Sequence, residues 1–178
     1  MNPIQDVRIP RNAREPGETF AYNLTQIRRI LEVLPLLPKA VVATASFAGL
    51  REGELRGLEW SDYTGESLSV NRSIWKNFVN RPKTRASAQA VPVIRQVAEI
   101  LNAYRLSVGN PAGVMFHSGA GKPMDLSRLG RDIIRPAVEA IRLEWYGWHG
   151  FRRGIASNLS WAQMTRSFST YCVTQSPM

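Results

Sequence analysis

The stretch Ala40-Val41-Val42-Ala43-Thr44-Ala45-Ser46-Phe47 is apolar or small at almost every position. A helix with no polar face has to be covered on all sides, so the rest of the chain must build a multi-element core around it. Gly49 follows where a helix commonly ends in the left-handed conformation, and Arg51 comes directly after that break. The chain has 178 residues, 44% hydrophobic and 21% charged. This is a globular composition, at a length that suits one domain with a linker or tail.

Residues 1–20, with Pro3, Pro10 and Pro16 among arginines and few large apolar groups, read as a linker. Ile27, Ile30, Leu31 and Leu34 have helical spacing after Thr25 as a candidate N-cap, and Pro35 to Pro38 stops that helix. A short helix is predicted around Glu54, Leu55 and Leu58, with Trp60 near its end. From Ser67 the pattern changes to alternation, through Leu68, Val70 and Ile74 and later Ala90, Val91 and Val93, which predicts a small antiparallel sheet. The intervening Asn80-Arg81-Pro82-Lys83-Thr84-Arg85 is polar and turn-prone and places Lys83 near a hairpin tip or strand end. Val97, Ile100, Leu101 and Tyr104 restore helical spacing. Val114-Met115-Phe116 reads as a short buried strand, and Asp125 as the cap of a helix through Leu126, Leu129 and Ile133, broken or kinked by Pro136. The last helix is predicted to begin near Gly150 and to run through Phe151, Ile155 and Leu159. The expected fold class is α+β, mostly helical with a small antiparallel sheet.

The formal charge of +9 and pI near 10.4 call for a polyanionic partner. Nucleic acid fits better than a membrane, because the sequence shows neither a long uncharged stretch nor a basic amphipathic helix with an aromatic face. Asp6, Arg8, Arg11 and Arg14 interrupt any signal-peptide core. Cys172, the single cysteine, has no partner for an internal disulfide, and no cysteines or histidines have metal-ligand spacing. The expectation is a reducing, cytoplasmic location and no metal or cofactor.

Three places hold polar residues that core packing does not require. Arg51, at a junction between two apolar segments, is poorly placed for solvation, and its planar fork of donors suits two phosphate oxygens. The bland alternative is a structural ion pair with Glu54. His149 and Arg152 lie three apart at the start of the last helix and thus on one side of it. They can address one anion, the histidine also moving a proton near neutral pH, or simply form a wet basic turn. Lys83 is the third, and a hairpin lysine is by default solvated.

Taken together, Gly49-Leu50-Arg51-Glu52-Gly53-Glu54-Leu55, its continuation Leu58-Glu59-Trp60-Ser61-Asp62, the hairpin lysine and His149-Gly150-Phe151-Arg152-Arg153-Gly154 resemble the tyrosine recombinases of the phage-integrase type. The match runs from about Thr19 to about Leu159 and implies an integrase-type catalytic domain over 21–159, preceded by a linker from a separate DNA-binding domain. By that resemblance Arg51 and Arg152 bind the scissile phosphate and Glu54 braces the site. Lys83 protonates the leaving 5′ oxygen, and His149 assists proton transfer. Fixed guanidinium groups stabilise the charge that develops on the phosphate, each such donor being worth about 3 to 4 kcal/mol of barrier. A tyrosine hydroxyl acts as nucleophile and leaves a covalent 3′-phosphotyrosyl link that conserves bond energy for religation. The implied partners are double-stranded DNA and other recombinase protomers. Arg153 stands where many relatives carry histidine.

The resemblance ends at Leu159, where relatives continue into a Leu-Arg-His or Leu-x-His motif and then the tyrosine. Ser160 to Met178 lacks Asp, Glu, Lys, Gly, Leu and Ile altogether, unlike the rest of the chain, and reads as an aberrant, disordered tail, with the last helices of the fold missing. Its one tyrosine, Tyr171, is close to Arg152 and lacks the preceding histidine motif, so no nucleophile is assigned. Read from one base earlier, permitted codons for 160–178 encode ELGADDEIVQHVLRHAKPH, which restores Leu-Arg-His. The single codons of Trp161 and Met164 force the glycine and the second aspartate of that peptide. A small insertion or deletion near the codon of Leu159 is therefore expected in the gene. The function expected is a site-specific DNA recombinase domain, inactive as written. A DNA-binding remnant or competitor without chemistry is the alternative, and a basic RNA-binding protein a weaker third.

Overall fold

The computed structural model describes residues 19–76, 78–80, 90–109, 111–119 and 121–155. Lys83, Leu159, the tail 160–178 and all but the last two residues of the expected linker lie outside them.

The all-round apolar segment is helix α2 (Leu36–Ala48), in which every residue from Ala40 to Ala48 is buried. It ends at Gly49 with φ 65° and ψ 28°, as the sequence requires. Helix α1 (Leu24–Val33) packs on it through Ile27 and Ile30. Its cap is Asn23, not Thr25, because Asn23 Oδ1 accepts the Gln26 N–H at 2.9 Å while the Gln26 side chain accepts the Asn23 N–H at 2.9 Å. The long amphipathic helix α4 (Arg95–Ser107) covers another side of α2 with Val97, Leu101 and Tyr104.

Between these helices, among the described residues, lie α3 (Glu52–Gly57), a 3₁₀ turn (Trp60–Asp62) and four short strands: β1 (Ser67–Ser69), β2 (Ser73–Trp75), β3 (Phe78–Asn80) and β4 (Ala90–Pro92). They form two antiparallel pairs, β1 with β4 and β2 with β3. The β2–β3 hairpin, with Trp75 opposite Phe78, subdivides what the alternation alone showed as one sheet. Val114 to Phe116 is no strand. Val114 makes one bridge to Glu59, while Met115 and Phe116 are fully buried.

Asp125 does cap its helix, Oδ1 accepting the Arg128 N–H at 3.0 Å. The helix runs as α5 (Leu126–Leu129), a π-helical turn (Gly130–Ile134) and α6 (Arg135–Ala140). The Arg135 N–H reaches back five residues to the Gly130 carbonyl, so the widened turn comes directly before Pro136, whose missing N–H and ring would disrupt an ordinary helix. Helix α7 (Gly147–Arg153) starts earlier than predicted and lies against α2. Tyr22, fully buried, fastens the two ends of the described chain. Its ring lies 4.6 Å from Phe151 and 4.9 Å from Tyr146. Its hydroxyl donates to the Glu144 carbonyl at 2.9 Å and accepts the Tyr146 N–H at 2.8 Å.

Candidate functional site

Gly49 turns the chain out of α2 so that Leu50 is buried and Arg51 faces outward at the start of α3. The expectation that Arg51 is shielded from solvent is therefore wrong: 65% of its side chain is exposed. What it gains at the helix start is Glu54, one turn on. Glu54 Oε2 accepts the Arg51 N–H at 2.7 Å, and Oε1 takes Arg51 Nη1 at 2.8 Å. An acidic side chain in the first turn also suits the positive end of the helix dipole.

Arg152 comes to the same carboxylate from α7. Its Nη1 is 3.6 Å from Glu54 Oε2. Arg51, Glu54 and Arg152 thus form one cluster, assembled because α3 and α7 both pack on α2. The structural pairing of Arg51 with Glu54 and a phosphate-binding role are not exclusive. One carboxylate spaces two guanidinium groups and leaves a net positive charge, with the remaining Arg51 and Arg152 donors unpartnered among the described residues. Two such forks can hold the non-bridging oxygens of one phosphodiester.

His149 is exposed on α7, one turn before Arg152, and makes no hydrogen bond among the described residues. Arg153 Nη1 donates to the Phe20 carbonyl at 3.3 Å, holding the chain entrance against α7. Gly150 lets Tyr22 approach, since a Cβ there would lie 2.6 Å from Tyr146 Cβ and 3.1 Å from Tyr22 Cε2. Among the described residues no cluster of His, Cys, Asp or Glu could hold a metal ion, and no helix is long and apolar enough to cross a membrane.

Several residues that organise the site escaped the sequence reading. Gly53 and Gly57 lie four apart on α3, and the face they share is flush with β2 and its approach: a Cβ on Gly57 would sit 2.7 Å from the Arg72 carbonyl oxygen. Arg56, on the same helix, donates to the carbonyls of Met124 (3.1 Å), Ile74 (3.3 Å) and Lys76 (3.1 Å). Asp62, buried, accepts from the Glu59 N–H (2.9 Å), Asn71 Nδ2 (2.8 Å) and Arg72 Nη2 (3.3 Å), and Arg72 also pairs with Glu59. The Glu59-Trp60-Ser61-Asp62 continuation thus anchors the base of the hairpin. The four-residue glycine spacing on a short helix was the legible signal for this arrangement.

No family model and no curated protein sequence matches the chain. Solved structures do. The Tn1549 transposon integrase in complex with transposon right-end DNA superposes with a TM-score of 0.69 at 16% identity, over 83% of this chain and 55% of that one. XerA recombinase gives 0.63 at 20% identity, over 85% and 54%. Lambda integrase bound to DNA gives 0.58 at 19% identity, over 82% and 52%. The chain has the fold of these recombinases and integrases, and it spans just over half the length of each.

Proposed function

We propose that this chain is the catalytic domain of a tyrosine-type site-specific DNA recombinase and that, as the 178-residue polypeptide, it binds duplex DNA without cutting it. The observation that carries the reading is the convergence of Arg51 and Arg152, from opposite ends of the domain, on Glu54. Two guanidinium groups held beside one carboxylate on a +9 protein match what a phosphodiester under attack needs. In the reaction a tyrosine oxygen bonds to phosphorus and the 5′ oxygen leaves. Arg51 and Arg152 neutralise the charge on the non-bridging oxygens. Lys83 supplies the proton to the departing 5′ oxygen, His149 assists proton transfer, and Glu54 keeps the arginines apart and aimed.

Tyr171 is the sole tyrosine beyond Arg152, and it is not assigned as the nucleophile. A correctly placed nucleophile contributes about 7 to 11 kcal/mol through orientation alone, so the arginines without it leave a binding protein. That no tyrosine of this sequence is assigned as nucleophile is also what favours the second reading, a DNA-binding remnant or competitor at recombination sites in the cytoplasm. A nicked suicide substrate tests both. The 178-residue chain is expected to bind it and form no covalent adduct. The chain continued in the alternative frame past Leu159, through Leu-Arg-His to a downstream tyrosine, is expected to form one. An adduct from the 178-residue chain that Tyr171→Phe abolishes would overturn the assignment. Sequencing the gene checks the frame, and a stop codon early in the alternative frame would end the frameshift reading.

A further inference from the structure

The β2–β3 hairpin holds two large aromatic side chains in water. Trp75 is 63% exposed and Phe78 70% exposed, and they are cross-strand partners, so both lie on one face of the ribbon. Ile74 and Val79 share the other face, where Ile74 is buried. Among the described residues, the contacts that anchor the hairpin come from elsewhere. A two-stranded ribbon has little stability of its own, and this one is fixed through its main chain and its base: the glycine face of α3, the Arg56 bonds to the Ile74 and Lys76 carbonyls, and the Asp62-Arg72-Glu59 cluster. Lys76 takes a left-handed conformation, φ 54°, in the tight turn between the two aromatics. The result is a firmly held prong whose aromatic face is exposed.

We infer that the Trp75–Phe78 face of this hairpin is a docking surface for duplex DNA, pressed against a groove beside the phosphate held by Arg51 and Arg152. The inference rests on the function proposed above and adds a contact that the arginine cluster does not make. Two observations select DNA as the occupant. From Glu66 to Glu99 the sequence carries Arg72, Lys76, Arg81, Lys83, Arg85 and Arg95 and no acidic residue between, so even with Arg72 paired to Glu59 and Asp62 and Arg95 to Glu99 the stretch keeps an excess of positive charge that suits a polyanion. The hairpin is also bolted to the helix whose start carries the phosphate cluster. Arg51 and Arg56 are separated by about 7 to 8 Å along the helix axis at 1.5 Å per residue, so a duplex seated on the arginines passes the hairpin. A two-stranded ribbon fits a DNA groove, and apolar side chains on it can meet thymine methyls, sugars or an opened base step.

The test is duplex binding by the full chain carrying Trp75→Ser, Phe78→Ser or both, with Val79→Ser as the matched loss of an exposed apolar side chain from the opposite face. Each aromatic substitution is expected to weaken binding about five-fold or more. The dependence of affinity on salt should keep its slope, because no phosphate contact is removed. The thermal midpoint should stay unchanged, and Val79→Ser should bind as the parent does. Unchanged affinity in the double variant, or an equal loss in Val79→Ser, overturns the inference. So does a parent chain that self-associates without DNA through these aromatics and becomes monomeric in the double variant, since the occupant is then a second copy. If the parent binds duplex steeply with salt and the aromatic variants do likewise with equal affinity, only this inference falls. If the parent binds no duplex, the proposed function falls with it.

Discussion

Glu54 illustrates how little of the site is explained by stability. Its partners Arg51 and Arg152 keep 65% and 35% of their side chains exposed, and ion pairs in such surroundings contribute about 0 to 1 kcal/mol. The cluster therefore orients donors more than it holds the fold together. Tyr22 is the opposite case. Burial pushes its hydroxyl from 10.0 up to about 12, and the hydroxyl bridges Glu144 and Tyr146. Tyr22→Phe leaves that carbonyl and that N–H without their partner, at an expected cost of about 2 kcal/mol near neutral pH. The raised value also has a signed consequence. The protonated tyrosine is favoured in the folded state, so its contribution is complete below pH 10 and is lost as pH rises towards 12. Urea unfolding at pH 8 and pH 11 checks this, and Tyr22→Phe should lose less stability over that interval than the parent. Tyr63 and Tyr104, both raised by burial, act in the same direction and leave a residual loss in the variant.

At the scale of elements, α3 is six residues long, far too short to persist alone. It is held by what lies on each side: Ser127 Oγ donating to Glu52 at 2.6 Å, Arg56 gripping three carbonyls, and the two glycines against the approach to β2. Gly57→Ala would force a methyl to within 2.7 Å of the Arg72 carbonyl oxygen, and backbone there cannot yield as a flexible side chain would. A loss of about 1 to 3 kcal/mol is expected from this overpacking, read as a lowered denaturant midpoint. Gly53→Ala meets mainly the Ser73 hydroxyl and should cost less. Arg56→Met keeps the aliphatic stem and removes the donors. It should speed hydrogen exchange at the hairpin amides while α2 and α4 keep their protection, and equal acceleration everywhere would mean that Arg56 supports the domain as a whole.

For the whole molecule, the excess of 23 basic over 14 acidic residues decides how DNA binding should respond to conditions. On the proposed function, the logarithm of affinity should fall linearly with the logarithm of salt, at about 0.9 per phosphate neutralised. Duplexes of unrelated sequence should bind with similar strength, because phosphate contacts position a protein without reading bases. Titrations at several salt concentrations check both points. An affinity indifferent to salt would contradict the reading of the charge and of the arginine cluster together.

What the sequence by itself determined was whatever one chain position can report about its own surroundings. The run from Ala40 to Phe47 had to be buried, Gly49 had to turn, Asp125 had to cap, and the spacing of Arg51, Glu54, His149 and Arg152 within their motifs led to the fold that the described residues adopt. Tertiary structure decided the rest, because partnership is not periodic. Arg51 came out exposed where the flanking apolar segments suggested shelter, since the left-handed turn at Gly49 sends Leu50 inward in its place. The hairpin of Trp75 and Phe78 went unread because its strands are three residues long, too short for alternation to register, and its stability comes from α3. The meeting of Arg51 with Arg152 required α3 and α7 to pack on one helix, a long-range arrangement that local propensity does not encode.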